Sequence, residues 1–149
     1  MYGVLAYFRA KQSRQARATK DTMKESLTRA ELAVMNLLWD SSERITAKAI
    51  RETLYADADR PQHGTVQRLL ASLEEKDMLA RDRRAGTHFF EAAVSRQQYA
   101  GWQVESLADG LTGGSFVPLV THLIENDKIT VEEIDHIING LQEGNLRDT

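Results

Sequence analysis

The residues best suited to chemistry lie between His63 and His88. Val66, Leu69, Leu70 and Leu73 recur at i, i+3, i+4 and i+7, one apolar stripe of a helix running from about His63 to Lys76. Thr65, Gln67, Arg68, Ala71 and Ser72 form its outer face. These types read base edges: Arg pairs two ways with guanine, Gln with adenine, and Thr or Ala meets a thymine methyl. His63-Gly64-Thr65 opens the helix, where backbone amides can meet a phosphate and Gly64 lets the backbone come close. Arg81, Arg83, Arg84 and His88 follow on a short hairpin, where cations suit phosphates or a minor groove. Each residue also has a plainer reading. Arg68 and Ser72 can be solvated helix positions, and the wing arginines can pair with Asp82 or Glu91. As a set, they point to nucleic acid.

Other chemistry finds little support. His122 with Glu125, and Asp135 with His136, resemble metal or acid–base pairs, but spacing places no third ligand or nucleophile beside them. There is no Gly-rich phosphate loop and no nucleophile elbow. The chain has no cysteine, which excludes disulfides, thiolate zinc, iron–sulfur clusters and cysteine nucleophiles, and fits a reducing compartment. No enzyme activity, metal or cofactor is expected. No run approaches the ~18 apolar residues of a membrane span. Met1 to Phe8 is apolar but lacks the charge and cleavage site of a secretory signal. A cytoplasmic protein without membrane insertion is expected.

The elements that position these residues are legible around them. With 149 residues, 42 % of them hydrophobic, the chain can bury a real core. Thr28-Arg29-Ala30-Glu31 is a capping box, followed by Leu32, Met35, Leu38 and Trp39 at helical spacing. The spacing of Trp39 makes it a core residue. Thr46 caps a second, short helix through Ala49, Ile50 and Leu54. After the third helix, Met78 to Arg83 and Thr87 to Ala93 read as two strands joined by Arg84-Ala85-Gly86. Helical periods return from Arg96 to Leu107 and from Ser115 to Glu125, with a break over Gly110 to Gly114. A capping box at Thr130 to Glu133 opens a last amphipathic helix. Three helices and then a hairpin is the order of a winged helix-turn-helix. The fold expected is mainly α with a small β-hairpin, followed by a C-terminal helical region.

Charge divides the chain in the same way. Residues 1–26 carry a net +4, residues 27–93 a net -1, and residues 94–149 a net -6. This suggests a basic flexible extension (1–26), a winged-helix domain (27–94) and an acidic helical region (95–149).

Specific stretches resemble a known family. Leu27-Thr28-Arg29-Ala30-Glu31-Leu32-Ala33-Val34-Met35 with Leu38-Trp39 looks like the first helix of the penicillinase repressor family, the BlaI/MecI/CopY group. Thr65-Val66, Leu70, Leu73-Glu74-Glu75-Lys76 and Leu79 resemble its recognition helix and exit. Arg81 to Ala92, Val94-Ser95, Leu123-Ile124-Glu125-Asn126-Asp127 and the last helix also fit, so the resemblance spans about residues 27–143. It implies a homodimeric bacterial repressor on a palindromic DNA operator. In resistance members, a membrane sensor protease triggers cleavage of the C-terminal part and the dimer leaves DNA. By position, the resemblance makes His63, Gly64, Thr65, Gln67, Arg68 and Ser72 the DNA readers, and Arg81, Arg83 and Arg84 the wing contacts.

The chain departs from the family pattern in places. Asp77 stands where the family usually has Gly after the recognition helix; Asp tolerates a left-handed backbone, so the turn is expected to survive. Gln62-His63-Gly64 replaces a Ser-Pro-Lys-like or basic start, which questions one phosphate contact. His122-Leu123 stands where resistance repressors carry Asn-Phe, which questions cleavage there. Lack of cysteine excludes the copper-responsive branch.

The acidic C-terminal helices hold too few apolar residues for an independent core but enough to pack against a second copy. Phe116, Val117, Leu119, Val120, Leu123 and Ile124, with Ile134, Ile137, Ile138 and Leu141, are the candidate dimer interface. A two-fold dimer would set two recognition helices ~34 Å apart, or a multiple of that. Two other readings remain open from the sequence. One is a winged-helix regulator that senses a small ligand in a pocket lined by Trp102, Phe116 and His122. The other is a winged-helix module that binds protein.

Overall fold

A computed structural model describes residues 26–60, 62–84 and 86–147, with side chains as far as residue 144. The basic N-terminal extension lies outside the described residues apart from Ser26. Two compact units divide between Gln103 and Val104. This is later than the division at residues 94 and 95 read from the sequence, because the first half of α4 (Arg96–Leu111) packs with the winged helix. Tyr99 and Trp102 both pack on the core of the first unit.

In the first unit, α1 (Arg29–Asp40) starts at the expected capping box. The Glu31 amide donates to the Thr28 hydroxyl at 3.2 Å, and the Thr28 amide donates to the Glu31 carboxylate at 2.9 Å. β1 (Ile45–Thr46) leads directly into α2 (Ala47–Leu54), where the Thr46 hydroxyl accepts from the Ala49 amide at 3.2 Å. α3 (His63–Glu75) ends in the turn expected at Asp77, whose φ is +56°. The Met78 amide donates back to the Leu73 carbonyl at 2.9 Å and closes a Schellman-type stop.

β2 (Leu79–Asp82) and β3 (Phe89–Ala92) form the expected antiparallel hairpin, shorter at both ends than its sequence pattern. The sheet has a third member, since β1 pairs with β3 through Ile45–Phe90 and Thr46–Phe89, giving the order β1-β3-β2. The three helices close over the sheet on Val34, Met35, Leu38, Ile50, Val66, Leu70, Leu73, Met78, Leu79 and Phe90, all buried. Trp39 packs against this core as expected, and its indole Nε1 donates to the Val94 carbonyl at 2.8 Å. Helices α1–α3 with the β2–β3 hairpin are a winged helix-turn-helix, in a chain that is mostly helical with a small sheet.

The start of α4 is tied to this unit. The Leu27 amide donates to the Tyr99 hydroxyl at 3.1 Å, and the Tyr99 ring lies 5.9 Å from that of Trp39. Arg96 donates to Asp40 at 2.7 Å and lies 5.4 Å from the Trp39 ring centre.

The second unit holds the remainder of α4, α5 (Val117–Glu125) and α6 (Val131–Arg147). α4 passes through Gly110 to Leu111 before breaking, longer than the Leu107 limit read from the sequence. A glycine weakens a helix by about 1 kcal/mol without ending it. The break itself is at Gly113 and Gly114, with φ of +62° and +88°. Pro118 sits in the first turn of α5, where its missing amide does no harm. The α6 capping box forms as expected: the Thr130 amide donates to Glu133 at 2.8 Å, and the Glu133 amide to the Thr130 hydroxyl at 3.1 Å. Among the described residues of this unit, Ala108 alone is buried.

Candidate nucleic-acid interface

Helix α3 buries Val66, Leu70 and Leu73 and turns its other side outward. Its position along the axis is held by a buried carboxylate. Glu31, 4 % exposed, accepts from the Ser72 hydroxyl at 2.6 Å and from Lys76 Nζ at 3.0 Å, as well as from the Thr28 amide. Burial pushes the Glu31 pKa up. The Ser72 hydroxyl, the Thr28 amide and the Lys76 ammonium together outweigh burial and leave it lowered. One side chain thus fastens the start of α1 to the last turns of α3.

The residues expected to read DNA fall into two groups. His63, Gly64 and Arg68 are exposed, and Gln67 is half-buried. A Cβ added at Gly64 would meet nothing within 4 Å, so space for a close backbone approach is present. The side chains of Thr65 and Ser72 already have partners inside the domain. Thr65 donates to Gln62 Oε1 at 2.9 Å, at the head of α3, and Ser72 donates to Glu31. Arg51, on the last turn of α2, donates to His63 Nδ1 at 3.2 Å.

The wing is similarly divided. Arg81 is only 16 % exposed, with Nε 3.0 Å from Glu74 Oε2 and its guanidinium 5.1 Å from the Phe90 ring centre. That Nε is buried and makes a close ion pair without hydrogen-bond alignment. Arg81 also lies 3.3 Å from His88 Nδ1. Arg83 is exposed. Arg84 is 88 % exposed yet forked onto Asp82, with Nε 3.0 Å from Oδ1 and Nη2 2.9 Å from Oδ2. Arg44 reaches the same carboxylate from beside β1 and stacks over Phe89 at 5.7 Å. The Arg84 side chain and amide, with Arg44, hold the Asp82 carboxyl far below the usual carboxylate range. In turn, Asp82 raises the Arg84 pKa. The Asp82 pairing is the plainer reading that the sequence had left open.

Sequence reasoning missed Arg44 and Arg51. Arg44 precedes a strand of two residues, too short to show alternation. Arg51 meets His63 across the turn between α2 and α3, and only the helix-turn-helix arrangement itself signals that meeting.

The second unit presents the apolar residues singled out above. Phe116, Val117, Val120, Leu123, Ile137, Ile138 and Leu141 are exposed, Val117 at 72 % and Leu141 at 66 %. Leu119, Ile124 and Ile134 are half-buried. His122 lies within α5, where Asn126 Nδ2 stands 3.3 Å from its Nδ1.

A winged helix-turn-helix whose third helix turns His63, Gly64 and Arg68 outward, followed by a wing bearing arginines, defines a class of DNA-binding regulators. The family model for the penicillinase repressor matches residues 27–143, and the chain belongs to that family, one of transcriptional repressors and not of enzymes. The chain is 25 % identical over 114 residues to a penicillinase repressor of Bacillus licheniformis, covering 76 % of this chain and 88 % of that protein. It is 29 % identical over 114 residues to the transcriptional regulator BlaI of Mycobacterium tuberculosis, covering 76 % of this chain and 80 % of the relative. Among the described residues, no helix is long and apolar enough to cross a membrane.

Proposed function

We propose that this chain is a sequence-specific transcriptional repressor that binds a palindromic double-stranded DNA operator as a homodimer. The observation that carries the reading is helix α3 itself: buried on one side, exposed at His63, Gly64 and Arg68 on the other, and followed by a wing bearing Arg83 and Arg84. Arg68 reads a base edge, while Arg83 and Arg84 on the wing, and Arg44 beside β1, meet phosphates. Thr65 and Ser72 contribute by fixing α3, through Gln62 and Glu31. The exposed apolar side chains of α5 and α6 support association with a second copy.

Release from DNA is proposed to follow proteolysis in the C-terminal region, under a membrane-embedded sensor protease system. His122–Leu123 lies inside α5, so cleavage there requires that helix to open first. Losing α6 would remove Ile134, Ile137, Ile138 and Leu141 from the interface together.

Selection of binding sites from random duplex DNA by the full chain, at near-physiological salt, tests the reading. An enriched inverted repeat is the expected result. Binding that shows no sequence preference and merely fades as salt rises would overturn it.

A further inference from the structure

We propose that Arg51 is a positioning residue for DNA recognition: it fixes the ring of His63 so that Nε2 carries the ring proton and serves as a hydrogen-bond donor to an operator base. This deepens the DNA-binding reading above and rests on it. A guanidinium has N–H donors and no acceptor. Arg51 Nη1 lies 3.2 Å from His63 Nδ1, so Nδ1 accepts and the proton of the neutral ring resides on Nε2. His63 is the exposed first residue of α3, the end of a recognition helix that enters the major groove. Among the described residues, the His63 ring is the side-chain partner of the Arg51 guanidinium.

The donor has a consequence for specificity. An Nε2–H suits purine N7, guanine O6 or thymine O4, and it opposes the amino group of cytosine. Without Arg51 the ring is free to rotate and to exchange tautomers, and the same position discriminates less. The wing holds a parallel pair, Arg81 with His88 Nδ1 at 3.3 Å. Arg81 is also engaged with Glu74 and Phe90, so Arg51 offers the cleaner test.

The test is a double-mutant cycle on the operator recovered by the unaltered full chain. His63→Ala identifies the base pair whose preference depends on His63. Arg51→Met is expected to relax that same base pair by about threefold to tenfold, the range of one net hydrogen bond. The double variant is expected to lose no more than His63→Ala alone, and the salt slope is expected to stay unchanged. Equal loss on every sequence, with a salt slope smaller by about one, would mean a direct phosphate contact and overturn the proposal. So would additive losses in the double variant, or no effect of Arg51→Met. A nitrogen-15 spectrum of the unaltered chain, taken where the ring is neutral, needs no variant and no DNA. An unprotonated Nδ1 at His63 is expected, and a proton on Nδ1 overturns the assignment. If the unaltered chain enriches no sequence, the DNA-binding reading fails, while the spectrum still judges the ring geometry.

Discussion

The two units spend similar side chains in opposite ways. The winged helix gathers Val34, Met35, Ile50, Leu70, Leu73 and Phe90 into a closed core. The second unit carries Phe116, Val120, Leu123, Ile137, Ile138 and Leu141 on its surface and buries only Ala108 among its described residues. Apolar surface drives folding roughly in proportion to the area removed from water. The first unit removes that area within one chain, whereas the proposed homodimer removes it in the second unit between chains. Stability of the first unit should therefore be independent of concentration, and that of the second should not.

The largest expected effect tests the first half of this contrast. Phe90→Ala empties the centre of the sheet, where Phe90 is buried and pairs across strands with Ile45 and Arg81. The expected loss is roughly 3–5 kcal/mol, seen as a lower urea midpoint at every protein concentration. Ile137→Asp tests the other half. It sets a charge on the exposed apolar face of α6, and the proposed dimer is expected to weaken by at least about a hundredfold through an unpaired buried charge. Sedimentation should show monomers with the winged helix still folded and operator binding lost. Dimers persisting at the same concentration would break the comparison.

Next come effects confined to the winged helix. Arg68→Ala should reduce specific binding by roughly 1–3 kcal/mol and relax preference at one base pair, leaving the oligomeric state unchanged. Equal losses on all sequences would make Arg68 a phosphate contact. Glu31→Gln keeps the shape of the clamp on Ser72 and Lys76 but removes its charge, with an expected loss of about 1–2 kcal/mol at neutral pH. The sign follows from the lowered pKa. The folded chain holds the carboxylate more readily than the unfolded one, so the stabilisation is full above about 4.5, the ordinary value. It is lost as pH falls through the lower folded value. Urea unfolding of wild type and variant should converge on acidification below about 4.5; a gap that stays constant there would remove the charge from the account.

Both capping boxes, the apolar stripe of α3 and the hairpin were legible because each is set by residues within a few positions of one another, whereas the left-handed turn at Asp77 was expected only from the family resemblance. β1 was not, since two residues show no period and its partner β3 lies over forty residues away. The recognition face was legible as a face but not as a set of free side chains. Periodicity gives the direction of a Cβ, not the partner that a hydroxyl or guanidinium finds once the chain folds. Ser72 finds Glu31, 41 positions distant, and Arg81 lies on Phe90. Arg51 became visible only when the turn brought it to His63.

The smallest expected effect is also the most direct probe of the contrast, because the chain stops a helix in the same way once in each unit. Asp77 follows α3 with φ +56°, and Asp127 follows α5 with φ +53°. At the first, the Met78 amide donates to the Leu73 carbonyl at 2.9 Å; at the second, the Lys128 amide donates to the Leu123 carbonyl at 2.8 Å. Glycine adopts this conformation without strain but loses more entropy on folding, so Asp→Gly at either stop should stabilise by only about 0.5 kcal/mol. The local change is the same, so any difference in response belongs to the surroundings. Asp77→Gly should raise the unfolding midpoint of the winged helix equally at all concentrations. Asp127→Gly should act only on the concentration-dependent transition, and should fall silent in the Ile137→Asp background. Equal, concentration-independent gains from both would mean that the second unit holds its fold without a partner.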